Sequence, residues 1–482
     1  MLRLCFLAIL ALPLQLLAAD PPTRPNIIFI LTDDLGINDL GCYGRKEHHT
    51  PNLDKLAADG RRFTSAYCSQ PICSPARAAI LTGKAPARLH LTTFLPGRAD
   101  CASQKLLHPV IEQKLPLAEK TLAEHLKSAG YATGCVGKWH LGGAGFGPKE
   151  QGFDFAHAGM ANTKASESEG GKGEYDLTRQ ALGFVERNLD RPFFLHLCHN
   201  TPHIPLGAKP ELIEKYKNAF NPTYAAMLHT LDDTVGLLLT RLDELKLAEN
   251  TIVVFTSDNG GLHVLEFPDS PATHNTPFRA GKGFLYEGGL RVPTIVRWPG
   301  VIPSGKVSDV PIIQADWVPT LLEACGVKTD DRFDGTSVLS LLKGKSIPDR
   351  PLFWHFPHYT NQGSRPAGAM RDGHWKFVEH YDNGAVELFD LAKDASEETN
   401  LAEREPERVK AMRSKLTMWR KNVGAQENTP NPAFDPALYK KLYIDVDVSK
   451  LKAGKTAAEM RPALQAWRNT MNEVLPKKAP KK

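Results

Sequence analysis

Asn26-Ile27-Ile28-Phe29-Ile30-Leu31-Thr32-Asp33-Asp34 decides the fold. The unbroken apolar run from Ile27 to Leu31 reads as a strand buried on both faces, the kind found in parallel sheets. It stops on two adjacent carboxylates. Thr251-Ile252-Val253-Val254-Phe255-Thr256-Ser257 repeats the pattern and runs into Asp258-Asn259-Gly260. Working outward, Tyr131–Val136, Phe193–Cys198 and Pro293–Arg297 read as further strands. Helices alternate with them: one from Pro51, with Thr50 as cap and Gly60 as stop, then Thr121–Ala129, Leu177–Asn188, Tyr224–Leu245 and Asp316–Cys325. This alternation predicts an α/β fold, with a large doubly wound, mixed but mostly parallel sheet flanked by helices. Ligands of such sheets bind beyond the carboxyl ends of the strands. Asp33 and Asp34, Lys138 and His140, His203, and Asp258 and Asn259 each stand just past a predicted strand. One sheet edge therefore gathers them.

Beyond about residue 351 the pattern changes. Trp375–His380 and Ala385–Phe389, joined through Asp382-Asn383-Gly384, predict an antiparallel hairpin. Leu401–Trp419 is helical, and Asn428–Asp435 reads as a loop. The expected organisation is a larger domain over 20–350 that carries the site, and a smaller C-terminal α+β domain over 351–482 with an antiparallel sheet. Lys477, Lys478, Lys481 and Lys482 form a basic, solvated tail.

Met1–Ala19 has a basic residue, an apolar core and Ala18-Ala19 at its end, the pattern of a secretory signal peptide. Pro13 interrupts the run, which is short for a membrane span. No second long apolar run follows, so the mature chain is expected to carry no membrane anchor and to reside in the periplasm or outside the cell. The net charge of +5 falls to +4 when Arg3 leaves with the leader, which is weak for 482 residues and argues against a nucleic-acid partner. Seven cysteines remain after the leader, with no Cys-x-x-Cys zinc pattern and no spacing of a small disulfide framework.

The chemistry begins with oxygen ligands. Asp33, Asp34, Asp258 and Asn259 suit a hard cation, Ca²⁺ ahead of Mg²⁺. Each taken singly also fits a turn or a cap, but two such groups after two buried strands fit that reading poorly. Cys73 stands where Pro75 and Ala76 begin a predicted helix ended by Gly83, so backbone N–H groups and the helix dipole favour an anion there. A bare thiolate at that place would already be activated; a buried structural cysteine is the other reading. Arg77, Lys138 and Lys282 would stabilise charge on a bound anion. His140 and His203 are candidates for proton transfer, and His199 for a structural role.

Cys73-Ser74-Pro75-Ala76-Arg77 resembles the sulfatase signature, whose cysteine is oxidised after synthesis to Cα-formylglycine. Around it, Pro25–Ile28 with Asp33–Gly36, Thr50–Asp54, Gly137–Gly142, Pro202-His203, Asp258–Gly260, Gly281-Lys282 with Glu287–Gly289, and Phe389–Leu391 with Asn400–Ala402 match in order. The chain thus resembles the type I sulfatases of the alkaline-phosphatase-like superfamily over nearly all its mature length. That resemblance implies one Ca²⁺ on Asp33, Asp34, Asp258, Asn259 and the modified Cys73. It implies Arg77 holding the formylglycine hydrate, Lys138 and Lys282 on the sulfate oxygens, His203 as the acid for the leaving alcohol, and His140 at the diol. It implies a two-step cycle in which one diol hydroxyl attacks sulfur and the aldehyde is then restored with release of sulfate. The implied partners are a sulfated carbohydrate substrate and a formylglycine-generating maturation enzyme. Sugar contacts are expected from Thr92–Leu115 and Leu262–Arg279, with Arg98, Asp100, His108 and His274 as candidates. The same fold also serves phosphonate monoester and phosphodiester hydrolysis, and a binding protein without catalysis would keep it too.

Overall fold

Asn26–Thr32 forms a strand with all seven residues buried. The computed structural model describes residues 24–159 and 171–476. The expected leader, the basic tail and most of Lys164–Glu174, whose Gly, Ser and Glu read from the sequence as an exposed loop, lie outside the described residues.

The strand sits inside an eight-stranded sheet. Across it the order is Lys306–Ser308, Arg61–Phe63, Thr294–Arg297, Thr251–Ser257, Asn26–Thr32, Phe193–Cys198, Ala132–Lys138 and Phe155–Gly159. Only Thr294–Arg297 runs antiparallel to its neighbours. The mixed, mostly parallel sheet expected from the sequence is therefore present. Asn26–Thr32 pairs with Thr251–Ser257 in register from end to end, so Thr32 lies opposite Ser257. That register brings the Asp33-Asp34 and Asp258-Asn259 turns side by side. Each fully buried Ile, Leu or Phe of these strands contributes about 1.5–3 kcal/mol, which makes the two turns' placement hard to alter.

Local chemistry explains the elements beside the site. Helix Leu122–Ser128 carries a capping box, with Thr121 and Glu124 satisfying each other's backbone N–H. Helix Pro51–Asp59 starts at its proline as expected, but Thr50 does not cap it. Thr50 Oγ1 instead accepts from Gly41 N–H at 2.9 Å and donates to Asp54 at 3.2 Å. Gly60 follows in extended backbone, where a Cβ would meet the Val296 carbonyl oxygen at 2.4 Å. Strand Ala132–Lys138 is longer than its apolar run, so Lys138 ends the strand rather than following it.

A second sheet of four antiparallel strands, Leu352–Phe356, Ala367–Asp372, Trp375–His380 and Val386–Asp390, follows in chain order. The expected hairpin is its last pair. Leu352, Trp354 and Phe356 belong to the same buried cluster as Ile28, Ile30 and Phe255, so both sheets share a core. The described cysteines are all free, and Cys42 alone among them is not fully buried. Among the described residues no helix is long and apolar enough to cross a membrane.

Charge also ties the second sheet to the short helix Glu287–Leu290. Lys376 Nζ lies 2.8 Å from Glu287 and 3.3 Å from Glu397, all three fully buried. Lys376 and Arg291 outweigh burial and hold Glu287 low. Burial lifts Glu397 from 4.5 to about 7, Glu287 adding to the rise and Lys376 opposing it. The folded chain thus binds this proton more tightly than the unfolded chain. Stability from Glu397 is full below about 4.5 and is lost as pH rises towards about 7. The Glu397→Gln variant is expected to gain about 1–3 kcal/mol on its parent between pH 5 and pH 8, read from denaturant midpoints. Parallel pH profiles would contradict this.

Candidate active site

Helix Cys73–Thr82 begins at Cys73 itself and is buried over all ten residues. Gly83 ends it in the left-handed region, its N–H on the Ala79 carbonyl, as the sequence predicts. The helix runs inward under the strand ends and presents Cys73 to the Asp33 carboxylate, Sγ to Oδ1 being 3.5 Å. Burial pushes the Cys73 thiol well above its ordinary range, and neighbouring Lys138 does not offset this. The thiolate expected at a helix N-terminus is therefore not favoured here, because desolvation, with Asp258 and Asp33, outweighs Lys138 and Lys282.

Asp33, Asp34 and Asp258 lie fully inside the protein and are met by three cations. Lys138 Nζ is 2.6 Å from Asp33, and Lys282 Nζ is 2.7 Å from Asp34. Arg77 donates from Nε and Nη2 to Asp258 at 3.0 and 2.8 Å, and from Nη1 to the Lys138 carbonyl at 3.0 Å. At Asp33 burial is outweighed by Lys138, His203, Arg77 and Lys282, and the carboxyl is held well below its usual range. Burial raises Asp34 despite Lys282. Burial, then Asp33, lifts Asp258 to about 7. The raised Asp34 and Asp258 are incompletely compensated by these partners, so the cluster has the charge to take a further cation.

The donor set fits a hard cation. The metal-ligating atoms of Asp33, Asp34, Cys73 and His203 all lie within 4.8 Å of one another. Asn259 donates its amide to Asp34 at 2.8 Å, and its own Oδ1 is buried without a partner. That orphaned oxygen beside crowded carboxylates has the chemistry to serve as a ligand for a hard cation. Asp258 stands next to this group, one oxygen on Arg77 and the other accepting Asp34 N–H at 3.1 Å. His203 is in the group where sequence reasoning had placed only oxygen ligands and Cys73.

The histidines are held in defined tautomers. His140 Nε2 donates to the Leu95 carbonyl at 3.1 Å, and Leu95 N–H donates to Ser74 Oγ at 3.1 Å. This ties the ring to the residue after Cys73 and leaves Nδ1 buried with a free lone pair. Burial, then Lys138, brings His140 down to about 3. His203 Nδ1 donates to the Ile204 carbonyl at 2.5 Å, so Nε2 receives Lys282 Nζ at 2.9 Å. Burial and Lys282 hold His203 well below its ordinary range, so both rings are neutral. His199 is fully buried, and neither of its ring nitrogens has a partner.

Above this floor opens a cavity of about 120 Å³. Cys73, His140, His203 and Lys282 line it, while Arg77 and Lys138 lie beneath. Phe94, Ile204, Pro205, Glu266, Phe267, Asn361 and Gln362 complete the wall. Both expected loops reach the cavity, but through Phe94, Glu266 and Phe267. The candidates named for sugar contact stand elsewhere. His108 accepts from Tyr359 N–H at 3.1 Å and lies 3.1 Å from Asp100, bracing two segments. His274 bonds to Arg45, and Arg98 reaches Tyr443 at 3.5 Å and Met471 at 3.3 Å. Gln314, which sequence reasoning missed, donates to the Ser257 and Asp258 carbonyls at 2.9 and 3.0 Å and accepts Ser69 N–H at 2.9 Å. It clamps the Asp258 turn to the segment leading into Cys73.

The family model described as Sulfatase matches residues 25–327, which contain every one of these site positions except Asn361 and Gln362. The chain belongs to the sulfatase family. It is a sulfuric ester hydrolase of the type I, alkaline-phosphatase-like group. A second model, N-sulphoglucosamine sulphohydrolase, C-terminal, matches residues 280–422. The chain is 36% identical over 373 residues to the N-acetylgalactosamine-6-sulfatase of Canis lupus familiaris, covering 70% of each chain. It is 33% identical over 457 residues to arylsulfatase A of Homo sapiens, covering 82% of this sulfatase and 86% of that one. The crystal structure of Ps i-CgsB, also solved with k-i-k-neocarrahexaose, superposes with a TM-score of 0.72 at 29% identity, covering 82% of this chain and 93% of that one.

Proposed function

We propose that this sulfatase removes sulfate from a sulfated carbohydrate, with residue 73 as nucleophile and Ca²⁺ at the acidic cluster. The observation that carries the reading is the meeting of Cys73, His140, His203 and Lys282 in one cavity, two of them grouped with Asp33 and Asp34, beside which Asp258 stands. Sulfated-sugar relatives support the substrate class. Oxidised to Cα-formylglycine by a maturation enzyme, residue 73 would supply a hydrated aldehyde as the nucleophile in place of the thiol. Asp33, Asp34, Asp258, Asn259 and residue 73 would hold Ca²⁺, whose charge would stabilise the sulfuryl oxygens. The leader expected from the sequence over 1–19 would direct the enzyme to the periplasm or outside the cell.

The chain's own groups do the rest. Lys138 and Lys282 bind the sulfuryl oxygens and orient sulfur over residue 73. Arg77 keeps Asp258 and the Lys138 backbone in place. His140 offers the Nδ1 lone pair to a hydroxyl proton at residue 73. With the ester bound, His203 takes up a second proton at Nε2 from solvent and gives it to the leaving oxygen. Its neutral state here follows from burial and Lys282. An anionic ester set against Nε2 offsets that lysine and favours the imidazolium.

Two results follow from these roles. Exhaustive chelation is expected to lower turnover about 100-fold or more, with Ca²⁺ restoring it, since a metal at the sulfuryl group supplies several kcal/mol. Unchanged turnover would remove the metal from the reading. The His203→Ala variant is expected to slow hydrolysis of sugar sulfates about 10²–10⁴-fold. The loss on 4-nitrophenyl sulfate should be smaller, because 4-nitrophenolate leaves without a proton; equal losses would assign His203 another role. The reading as a whole is tested by ion chromatography of sulfate released by the matured enzyme. Monosulfated sugars should be turned over faster than phenylphosphonate monoesters, and the reverse order would favour the phosphonate hydrolase.

A further inference from the structure

The cavity wall away from the Cys73 helix comes from two remote segments and has no part in the roles above. Resting on the carbohydrate sulfatase reading, we propose that Glu266, Gln362 and Asn361 form its sugar-binding wall. This wall takes the hydroxyl or amide donors of an uncharged ring and turns away a uronate or a second sulfate.

The argument starts from donors and acceptors. Gln362 is 3% exposed and donates from Nε2 to Glu266 Oε2 at 2.6 Å. That bond commits the amide's donor side to the carboxylate and fixes its orientation. Gln362 Oε1 is left buried without a partner, and so is Asn361 Oδ1. Native proteins leave few buried polar atoms unmet, and two together on a cavity wall point to a ligand that meets them. With the carboxylate beside them, the buried unmet atoms of the wall are oxygen acceptors. Its complement is a set of O–H or N–H donors, which the hydroxyls and acetamide of a neutral sugar supply.

The wall is built to hold its shape. Arg468, on the C-terminal helix Ala457–Glu473, donates from both terminal nitrogens to the Asn361 carbonyl at 3.0 and 2.9 Å. Gly363 N–H closes the turn on the Thr360 carbonyl at 3.1 Å. A Cβ at Gly363 would meet Val448 at 2.7 Å and Trp467 at 2.8 Å, so the turn is pressed onto the C-terminal segment. Glu266 N–H is anchored on Ser270 Oγ at 2.7 Å. Phe94 and Phe267 flank the polar groups with flat apolar surface for the C–H faces of a ring. Charge then sorts the ligands. Lys282 and the lysine beneath it meet one sulfate. A second anion on the same ring faces Glu266, and such like-charge contact is a discriminating element.

The test uses the full-length enzyme with residue 73 converted. Its substrates are 4-nitrophenyl sulfate and monosulfated 4-methylumbelliferyl hexosides, N-acetylhexosaminides and hexuronides. The parent is expected to prefer a hexoside or N-acetylhexosaminide to every hexuronide by about tenfold or more. Gln362→Leu is expected to lower the ratio of kcat/KM on that sugar to kcat/KM on 4-nitrophenyl sulfate about 10–100-fold. Glu266→Gln is expected to narrow the gap between neutral and acidic sugars. Equal losses on sugar and aryl sulfate in Gln362→Leu, or a parent that prefers hexuronides, would overturn the wall while leaving the sulfatase reading in place. A converted parent that cleaves the aryl sulfate but no sugar overturns the carbohydrate reading and the wall with it.

Discussion

Cys73→Ala is expected to abolish sulfate-ester hydrolysis, by about 10⁴-fold or more, while the protein stays folded. The residue opens a fully buried helix and is itself 2% exposed, so its truncation removes one sulfur atom from a packed floor. Its polar neighbour, Asp33, keeps Lys138 at 2.6 Å whether or not the sulfur is present. The cost in stability is therefore about 1 kcal/mol, the usual size for a small buried truncation. Activity and stability separate because residue 73 carries the bond-forming atom, and no neighbour in the cavity replaces it. Steady-state turnover on 4-nitrophenyl sulfate and a thermal melt check both halves. A variant within tenfold of its parent would place the nucleophile elsewhere.

Arg77→Leu is expected to cost both activity and about 3–5 kcal/mol of stability. Its guanidinium is 1% exposed and holds Asp258 through two donors and the Lys138 carbonyl through a third. Asp258 and Asp33 outweigh burial and keep the guanidinium firmly charged. Leucine fills part of the volume but leaves a carboxylate in the interior without its cation, and removing one partner of a buried pair is the damaging change. Asp258 and Lys138 would then lose their shared anchor. Denaturant midpoints should fall, and sulfate release should fall by about 10³-fold or more in the fraction that remains folded. An Arg77→Leu protein as stable as its parent would mean that Asp258 is neutral in the folded state.

The floor of the site was legible because its residues follow strands. Ile27–Leu31 and Thr251–Ser257 announce two buried strands, and parallel pairing in register makes their acidic ends neighbours. Gly83 and Pro75 marked the Cys73 helix. The tautomers were not legible, since they depend on carbonyls such as Leu95 and Ile204 that only folding brings to the rings. Nor was the wall. Arg98, Asp100, His108 and His274 have the right chemistry in the right loops, but they stand outside the cavity and bond to other parts of the chain. Gln362 reaches the cavity through a turn held by Arg468, 107 positions from Asn361. Gln314 hides in the same way: its role is to accept and donate to backbone, which no side-chain motif records.

The most direct measurement is the mass of the tryptic peptide Phe63–Arg77 from the enzyme matured in its native host. It holds two cysteines, Cys68 and Cys73, both buried, so one serves as control for the other. The account predicts that alkylation marks Cys68 alone. It predicts that Cys73 is lighter than a thiol by about 18 Da, reacts as an aldehyde, and is converted in proportion to sulfate released. A preparation that releases sulfate at full rate while both cysteines alkylate as thiols would contradict it.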